Sequence, residues 1–204
     1  MILRIKQTSR LPVRKHEIRF LNNKVFCTGG VQSVFESYLN CENNYYEIKT
    51  DEISKTVITR NGVQIGLISQ DIFITKKVLF LPIGYEYYKM SFENESFQIF
   101  ESGLGAGKHF FTIYKNDSIV AVIHKDDKVI NHLNTYTAYC EKNEGVLMML
   151  IFAMFLESTA FCDRTGGIGN TVVDSPYYST QKELRERYDP TFIERVKKLD
   201  GIIE

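Results

Sequence analysis

Gly145-Val-Leu-Met-Met-Leu-Ile-Phe-Ala-Met-Phe-Leu156 is a run without a single polar side chain, followed by Glu157 and Ser158-Thr-Ala-Phe161. Leu, Met and Ala are strong helix formers, so the run is expected to be helical. Asn143 is placed to cap the start by accepting from an orphan N–H, and Glu144 sits where the helix dipole favours an anion. Gly166-Gly167 supply the stop, which puts the helix at about residues 144–161. A helix that is apolar on every face must be buried on every face. A bilayer needs about 20 apolar residues, so this run is read as a core helix and not a membrane anchor.

What buries it is written upstream. Residues 1–142 are dense in Val, Ile, Phe, Tyr and Thr and are cut by short polar pairs. Asn22-Asn23, Asn61-Gly62 and Asn116-Asp117 each stand between two strand-like runs and tolerate the positive φ of a tight hairpin. Tyr85–Ser91 and Ser96–Glu101 form a further pair, and Asp126-Asp127 turns the chain toward Thr135-Tyr-Thr-Ala-Tyr139. The connections are too short for crossover helices, which makes the strands antiparallel. About ten to twelve strands are expected. An antiparallel body that ends in one wholly apolar helix has a physical solution in a closed barrel with the helix filling its bore, since closure removes sheet edges. The fold class is therefore mainly β, a closed antiparallel barrel around a central helix, with two short C-terminal helices.

The last residues change character. Thr180 with Glu183 reads as a capping box, and Asp189-Pro190 as an N-cap followed by a proline at the first helical position. Phe192 or Ile193, Val196 and Leu199 then recur at helical spacing. The domain reading is a barrel with its helix over residues 1–175 and a helical appendage over 176–204, packed on the body or on a second protomer.

Composition narrows the classes. The chain has 204 residues, 25 Lys+Arg against 25 Asp+Glu, and 44% hydrophobic residues. Disorder is excluded by the hydrophobic content, and the balanced charge argues against a nucleic-acid binder. Cys27, Cys41, Cys140 and Cys162 form no CxxC pair and match no zinc spacing, and Met1–Arg10 carries no apolar signal core. Four reduced cysteines in a cytoplasmic protein is the expectation, with no structural metal and no cofactor.

Candidate chemistry is sparse. Gly103-Leu-Gly105-Ala-Gly107-Lys108 invites a phosphate-loop reading, yet Ser102 stands at the first Walker glycine and His109 at the Mg²⁺-binding hydroxyl. The segment reads as a glycine-permitted turn, and Lys108 and His109 are retained as candidate ligand-binding residues. Gly166-Gly-Ile-Gly169 follows a helix and aims no helix N-terminus at a ligand. His124 with Asp126 and Asp127 as metal ligands, and Cys140 with His132 as a thiol–imidazole pair, are weaker alternatives. Glu157 is either a buried acid or, the preferred reading, a residue that reaches solvent at the barrel mouth; His16 and Asp163 have no legible partner. The tyrosines, Tyr45-Tyr46, Tyr85, Tyr87-Tyr88, Tyr114, Tyr136, Tyr139 and Tyr177-Tyr178, read as half-buried packing residues unless several share a face. No acid, base and nucleophile converge, so no catalytic residue is assigned.

The segment from Glu101 to about Phe161 carries a resemblance. The glycine-bearing turn Ser102–Gly107, the strand His109-Phe-Phe-Thr-Ile-Tyr114, the strand Ser118-Ile-Val-Ala-Val-Ile-His124, the strand Tyr136–Tyr139 and the apolar helix together resemble the superfamily of tubby C-terminal domains, LURP-one-related proteins and phospholipid scramblases. The likeness is greatest to the small bacterial tubby-like C-terminal domain proteins and covers about a third of the chain by pattern. It implies the helix-filled barrel, and it implies lipid: tubby domains bind phosphoinositide headgroups through basic surface residues. No such residue carries over, because the sequence has no matching basic cluster and no acidic calcium loop.

The functional expectation is a non-catalytic intracellular binding or interaction module whose ligand is a protein or small molecule. Binding of anionic lipid at a membrane surface, supported by Lys76-Lys77 and its apolar neighbours, is the first alternative, and an enzyme with an unrecognised site the second. A homodimer through the C-terminal helices stays open.

Overall fold

The computed structural model describes residues 1–9, 13–51, 55–78, 81–126, 128–129, 133–142, 145–160, 172–173 and 177–202. The expectations placed on Asp127, His132, Asn143, Glu144, Cys162, Asp163 and Gly166–Gly169 lie outside them.

Strands β1 (Ile2–Ser9), β2 (Arg14–Phe20), β3 (Val25–Ser33), β4 (Glu36–Cys41), β5 (Asn44–Thr50), β6 (Thr56–Arg60), β7 (Val63–Val78), β8 (Leu81–Phe92), β9 (Glu95–Gly105), β10 (His109–Lys115) and β11 (Ser118–Lys125) follow one another as antiparallel neighbours. The short β12 (Lys128–Val129) leaves the series, and β13 (Thr135–Cys140) closes it by pairing with both β11 and β1. Twelve strands thus form a closed antiparallel barrel. Two short strands lie outside it: β14 (Val172–Val173) pairs with β12, and β15 (Tyr177–Tyr178) pairs with the end of β9. Asn61-Gly62 (φ 50° and 84°) and Asn116-Asp117 (φ 48° and 61°) turn as expected, with both central residues left-handed as the strand twist demands. Glu42-Asn43 and Glu93-Asn94 make the same turn; Glu conceals the first in the sequence, and the second joins the expected pair Tyr85–Ser91 and Ser96–Glu101.

Helix α1 (Val146–Thr159) fills the bore, and twelve of its residues, Val146 and Met148 through Ser158, are buried. Its neighbours are the inward residues of the strands: Leu3, Ile5, Ile18, Leu39, Ile48, Ile58, Ile68, Met90, Ile99, Phe111 and Ile123 all belong to the same apolar core. Helix and wall touch closely at Gly29, where a Cβ would lie 2.8 Å from the Met154 sulfur and 2.8 Å from the Tyr38 carbonyl oxygen. The helix C-terminus is tied down by the wall, because the Phe35 backbone N–H donates to the Ser158 carbonyl at 3.2 Å. Phe35 makes that bond at φ 83°, a conformation that costs a non-glycine residue of order 1–3 kcal/mol. At about 1.5 Å per residue, α1 is too short for a bilayer core of about 30 Å. No helix among the described residues is long and apolar enough to cross a membrane.

Cys27 and Cys41 correct the expectation of four reduced cysteines. Thr28 pairs with Asn40, so the next residues outward oppose each other with Cα atoms 4.8 Å apart, and their sulfurs are joined in a disulfide. The hairpin brings together two cysteines that are 14 positions apart in the chain. Cys140 is free and buried, and burial pushes its thiol pKa up.

The C-terminal helices are α2 (Lys182–Arg185) and α3 (Pro190–Leu199). Asp189 caps α3 as expected, accepting from the Thr191 N–H at 2.9 Å. The capping box does not form: α2 starts after Gln181, which makes no side-chain cap. Neither helix is self-contained. Phe192, Ile193 and Val196 are buried against Ile2, Phe110, Val122 and Tyr139 on the outer wall, whereas Leu199, on the same stripe, is exposed. Phe192→Ala is expected to cost about 3–5 kcal/mol in chemical denaturation, as for a fully buried aromatic side chain. A loss under about 1 kcal/mol would mean that α3 is a loose appendage.

Candidate functional site

The barrel interior is polar at one end. Side chains alternate across a strand, so the residue two positions beyond an inward apolar residue also faces inward. At the end where α1 finishes, those residues are Gln7 after Ile5, His16 before Ile18, Ser37 before Leu39, Thr56 before Ile58, Glu101 after Ile99, His109 before Phe111 and Lys125 after Ile123. Gln7, His16, Ser37, Thr56 and Lys125 are buried. At the opposite end, a hollow of about 250 Å³ is lined partly by Cys140, Lys115 and Glu95. There the Cys140 thiol donates to the Lys142 carbonyl at 2.7 Å, and Lys115 pairs with Glu95 at 2.5 Å.

Glu157 is the centre of the polar layer, and the preferred expectation that it reaches solvent is overturned: it is fully buried. The His16 imidazole Nε2 lies 3.1 Å from its Oε2, and the Tyr136 hydroxyl donates to its Oε1. His16, without a legible partner in the sequence, finds one 141 residues away. Its other ring nitrogen, Nδ1, is buried without a hydrogen bond. With both Glu157 and His16 sealed from solvent, the triad anchors the helix to β2 and β13 and is out of reach of a substrate.

Toward solvent the layer opens at a seam. β8 and β9 pair from Phe92↔Glu95 to Tyr88↔Ile99 and then part. Beyond that point β7 and β8 continue as a two-stranded ribbon, residues 69–78 against 81–87, with no further strand beside it among the described residues. The freed edge of β9 is taken by β15, with Tyr177 opposite Gly105 and Tyr178 opposite Leu104. Gly103 permits this approach, since a Cβ there would lie 2.0 Å from the Tyr177 ring. Ser179 fastens the segment, its hydroxyl accepting from the Gly103 N–H at 2.8 Å. On the other side the Gln181 amide donates to the Gly84 carbonyl of β8.

Between the parted strands lies a cavity of about 340 Å³, walled by Tyr85, Glu86, Tyr88, Glu101, Tyr177 and Tyr178. Tyr88 is its floor and packs edge-on against Phe152 and Phe155 of α1, so the cavity reaches the central helix. Glu101 holds His109 through Nε2 at 2.7 Å, and the His109 ring stacks on Tyr177 with centroids 4.8 Å apart. Glu86 accepts from the Gln70 amide at 2.7 Å. Burial, with Glu101, Glu86 and Tyr177 nearby, pushes the Tyr88 pKa up to about 12. Burial and the same two carboxylates raise that of Tyr177.

Of the two candidate ligand-binding residues, His109 stands beside this cavity as the partner of Glu101, whereas Lys108 is exposed on the turn. The glycine loop is a turn, closed by Leu104 N–H to the Lys108 carbonyl at 2.9 Å and by Gly107 at φ 64°. His124 donates to, or is oriented by, the Gly107 carbonyl at 2.9 Å and lies 4.0 Å from Asp126. No group of three or more His, Cys, Asp or Glu side chains among the described residues is arranged to hold a metal ion. Tyr85, Tyr87 and Tyr114 pack with Phe100 beneath Leu184 of α2, which is the packing role expected of them. Glu86 and Glu101 are the site residues missed in the sequence. Each is in phase with apolar inward neighbours, and that phase was the available signal. Comparison with protein-family models, with curated proteins and with solved structures finds no match.

Proposed function

We propose that this chain is a non-catalytic intracellular binding module, a barrel of the tubby-like kind that seats a small ligand in the seam between β8 and β9. The observation that carries the reading is the cavity itself: a hollow at the low end of the size range of small-molecule sites, aromatic in its walls, with two carboxylates set into them. Neither displaced phenol of the cavity suits the role of a base. The two phenols with displaced pKa values both move up, away from neutrality, and so away from the range of a general base. A cytoplasmic location belongs to the same proposal. The Cys27–Cys41 bond weighs against it, since disulfides persist mainly in oxidising compartments.

Chemical-shift mapping on the labelled full chain tests the site. A panel of an amino acid, a nucleotide, a sugar phosphate and an amine is expected to include at least one compound whose shifts cluster at Tyr88, Glu101, His109 and Tyr177. Gly103→Val, which drives Tyr177 out of register, should abolish those shifts. Hits that map to the opposite end of the barrel would remove the seam from consideration.

A second reading rests on the β7–β8 ribbon. Ile72, Phe73 and Ile74 are 61%, 44% and 52% exposed there, just before Lys76-Lys77 in the sequence. Apolar side chains beside lysines suit the surface of an anionic membrane. Flotation with anionic vesicles at low salt decides: a chain that stays at the bottom of the gradient is not a lipid binder.

A further inference from the structure

We infer that the seam cavity is built for a small organic ammonium ion, free in solution. This rests on the seam being a ligand site and names the chemistry it selects.

Two independent features converge on that class. Glu86 and Glu101 place two carboxylates in the wall, and no lysine or arginine is among the described residues that line it. Glu101 shares its charge with His109, but Glu86 is held by the neutral amide of Gln70 and keeps its charge for a ligand. Tyr88, Tyr177 and Tyr178 supply aromatic rings, whose negative faces attract a cation, most strongly one with a diffuse charge such as a quaternary ammonium.

The electrostatics agree with the geometry. Burial is the main cause that raises the pKa values of Tyr88 and Tyr177, and the negative charge of Glu101 and Glu86 adds to it. The same charge that opposes a phenolate favours an ammonium. The volume, about 340 Å³, fits a molecule of modest size and no more.

The probe is choline, compared with 3,3-dimethyl-1-butanol, which has the same shape and hydroxyl but no charge, and with inorganic phosphate, all at matched ionic strength. Tyrosine ring shifts of the labelled full chain are the readout. Choline is expected to shift Tyr88 and Tyr177 saturably and to bind about tenfold more tightly than its neutral isostere, the discrimination a desolvated cation–π contact supplies. Glu86→Lys, a change at an exposed position that leaves the fold in place, should abolish choline binding; Glu86→Gln should weaken it. Equal binding of the isostere, competition by phosphate, or indifference to Glu86→Lys would overturn the ammonium assignment while leaving the seam a site. Failure of every probe to shift any seam tyrosine would remove both the assignment and the site.

Discussion

Ile151→Asp is expected to leave the chain in the insoluble fraction, or soluble without a cooperative melting transition. Ile151 sits at the middle of α1 with no exposed surface, and the residues around it on helix and wall are apolar. A carboxylate placed there has neither water nor a donor, and an unpaired buried charge costs several kcal/mol even after the surroundings relax. The loss of the isoleucine's own packing adds about 2–5 kcal/mol. Together these match or exceed the 5–15 kcal/mol that typically holds a domain folded. The helix cannot step aside, because strands surround it on all sides. Circular dichroism during a thermal ramp checks this. A variant that melts like the parent would mean that α1 does not fill the barrel.

Glu157→Ala should destabilise by about 3–5 kcal/mol, more than a typical single substitution. It strips the carboxylate from His16 and from the Tyr136 hydroxyl, both in buried residues. The cost lies in the buried His16 imidazole left without its carboxylate and not in the pair as such. Glu157→Leu combined with His16→Leu should therefore cost clearly less than the sum of the two single changes, since matched removal of a buried pair is often close to neutral. Urea denaturation of the three variants measures the coupling. Strict additivity would mean that His16 and Glu157 do not interact.

Both predictions stand on residues whose roles differ in legibility. Val146–Leu156 announces burial by composition alone, because no face of such a helix can meet water. Asn61-Gly62 and Asn116-Asp117 announce hairpins because few other residue pairs accept left-handed φ twice in succession. Glu42-Asn43 makes the same turn and passes unnoticed, since glutamate has no preference for that conformation and is carried there by strand pairing. Glu157 follows an apolar run, and nothing local says whether the next turn of helix emerges from the barrel or stays within it. The depth of the barrel decides, and that depth is set by strand lengths and tilt.

The candidate site was the least legible part. Glu86 and Glu101 belong to strands that pair normally at one end and separate at the other, and Tyr177 arrives from a segment more than seventy residues away. Gly103 reads locally as turn composition, whereas its role is to let a distant backbone approach. The same holds for Cys27 and Cys41, whose opposition is a property of register and not of spacing.

The apolar run of α1, the hairpin pairs and the cap at Asp189 are short-range features, governed by backbone sterics and by the hydrophobicity of adjacent residues. They suffice for a helix-filled antiparallel barrel. Where the wall parts, which strand fills the gap, and which carboxylates then face each other depend on contacts between residues far apart in the chain. Those contacts carry no local signature, because at each position the sequence records only what the residue prefers and not what it meets.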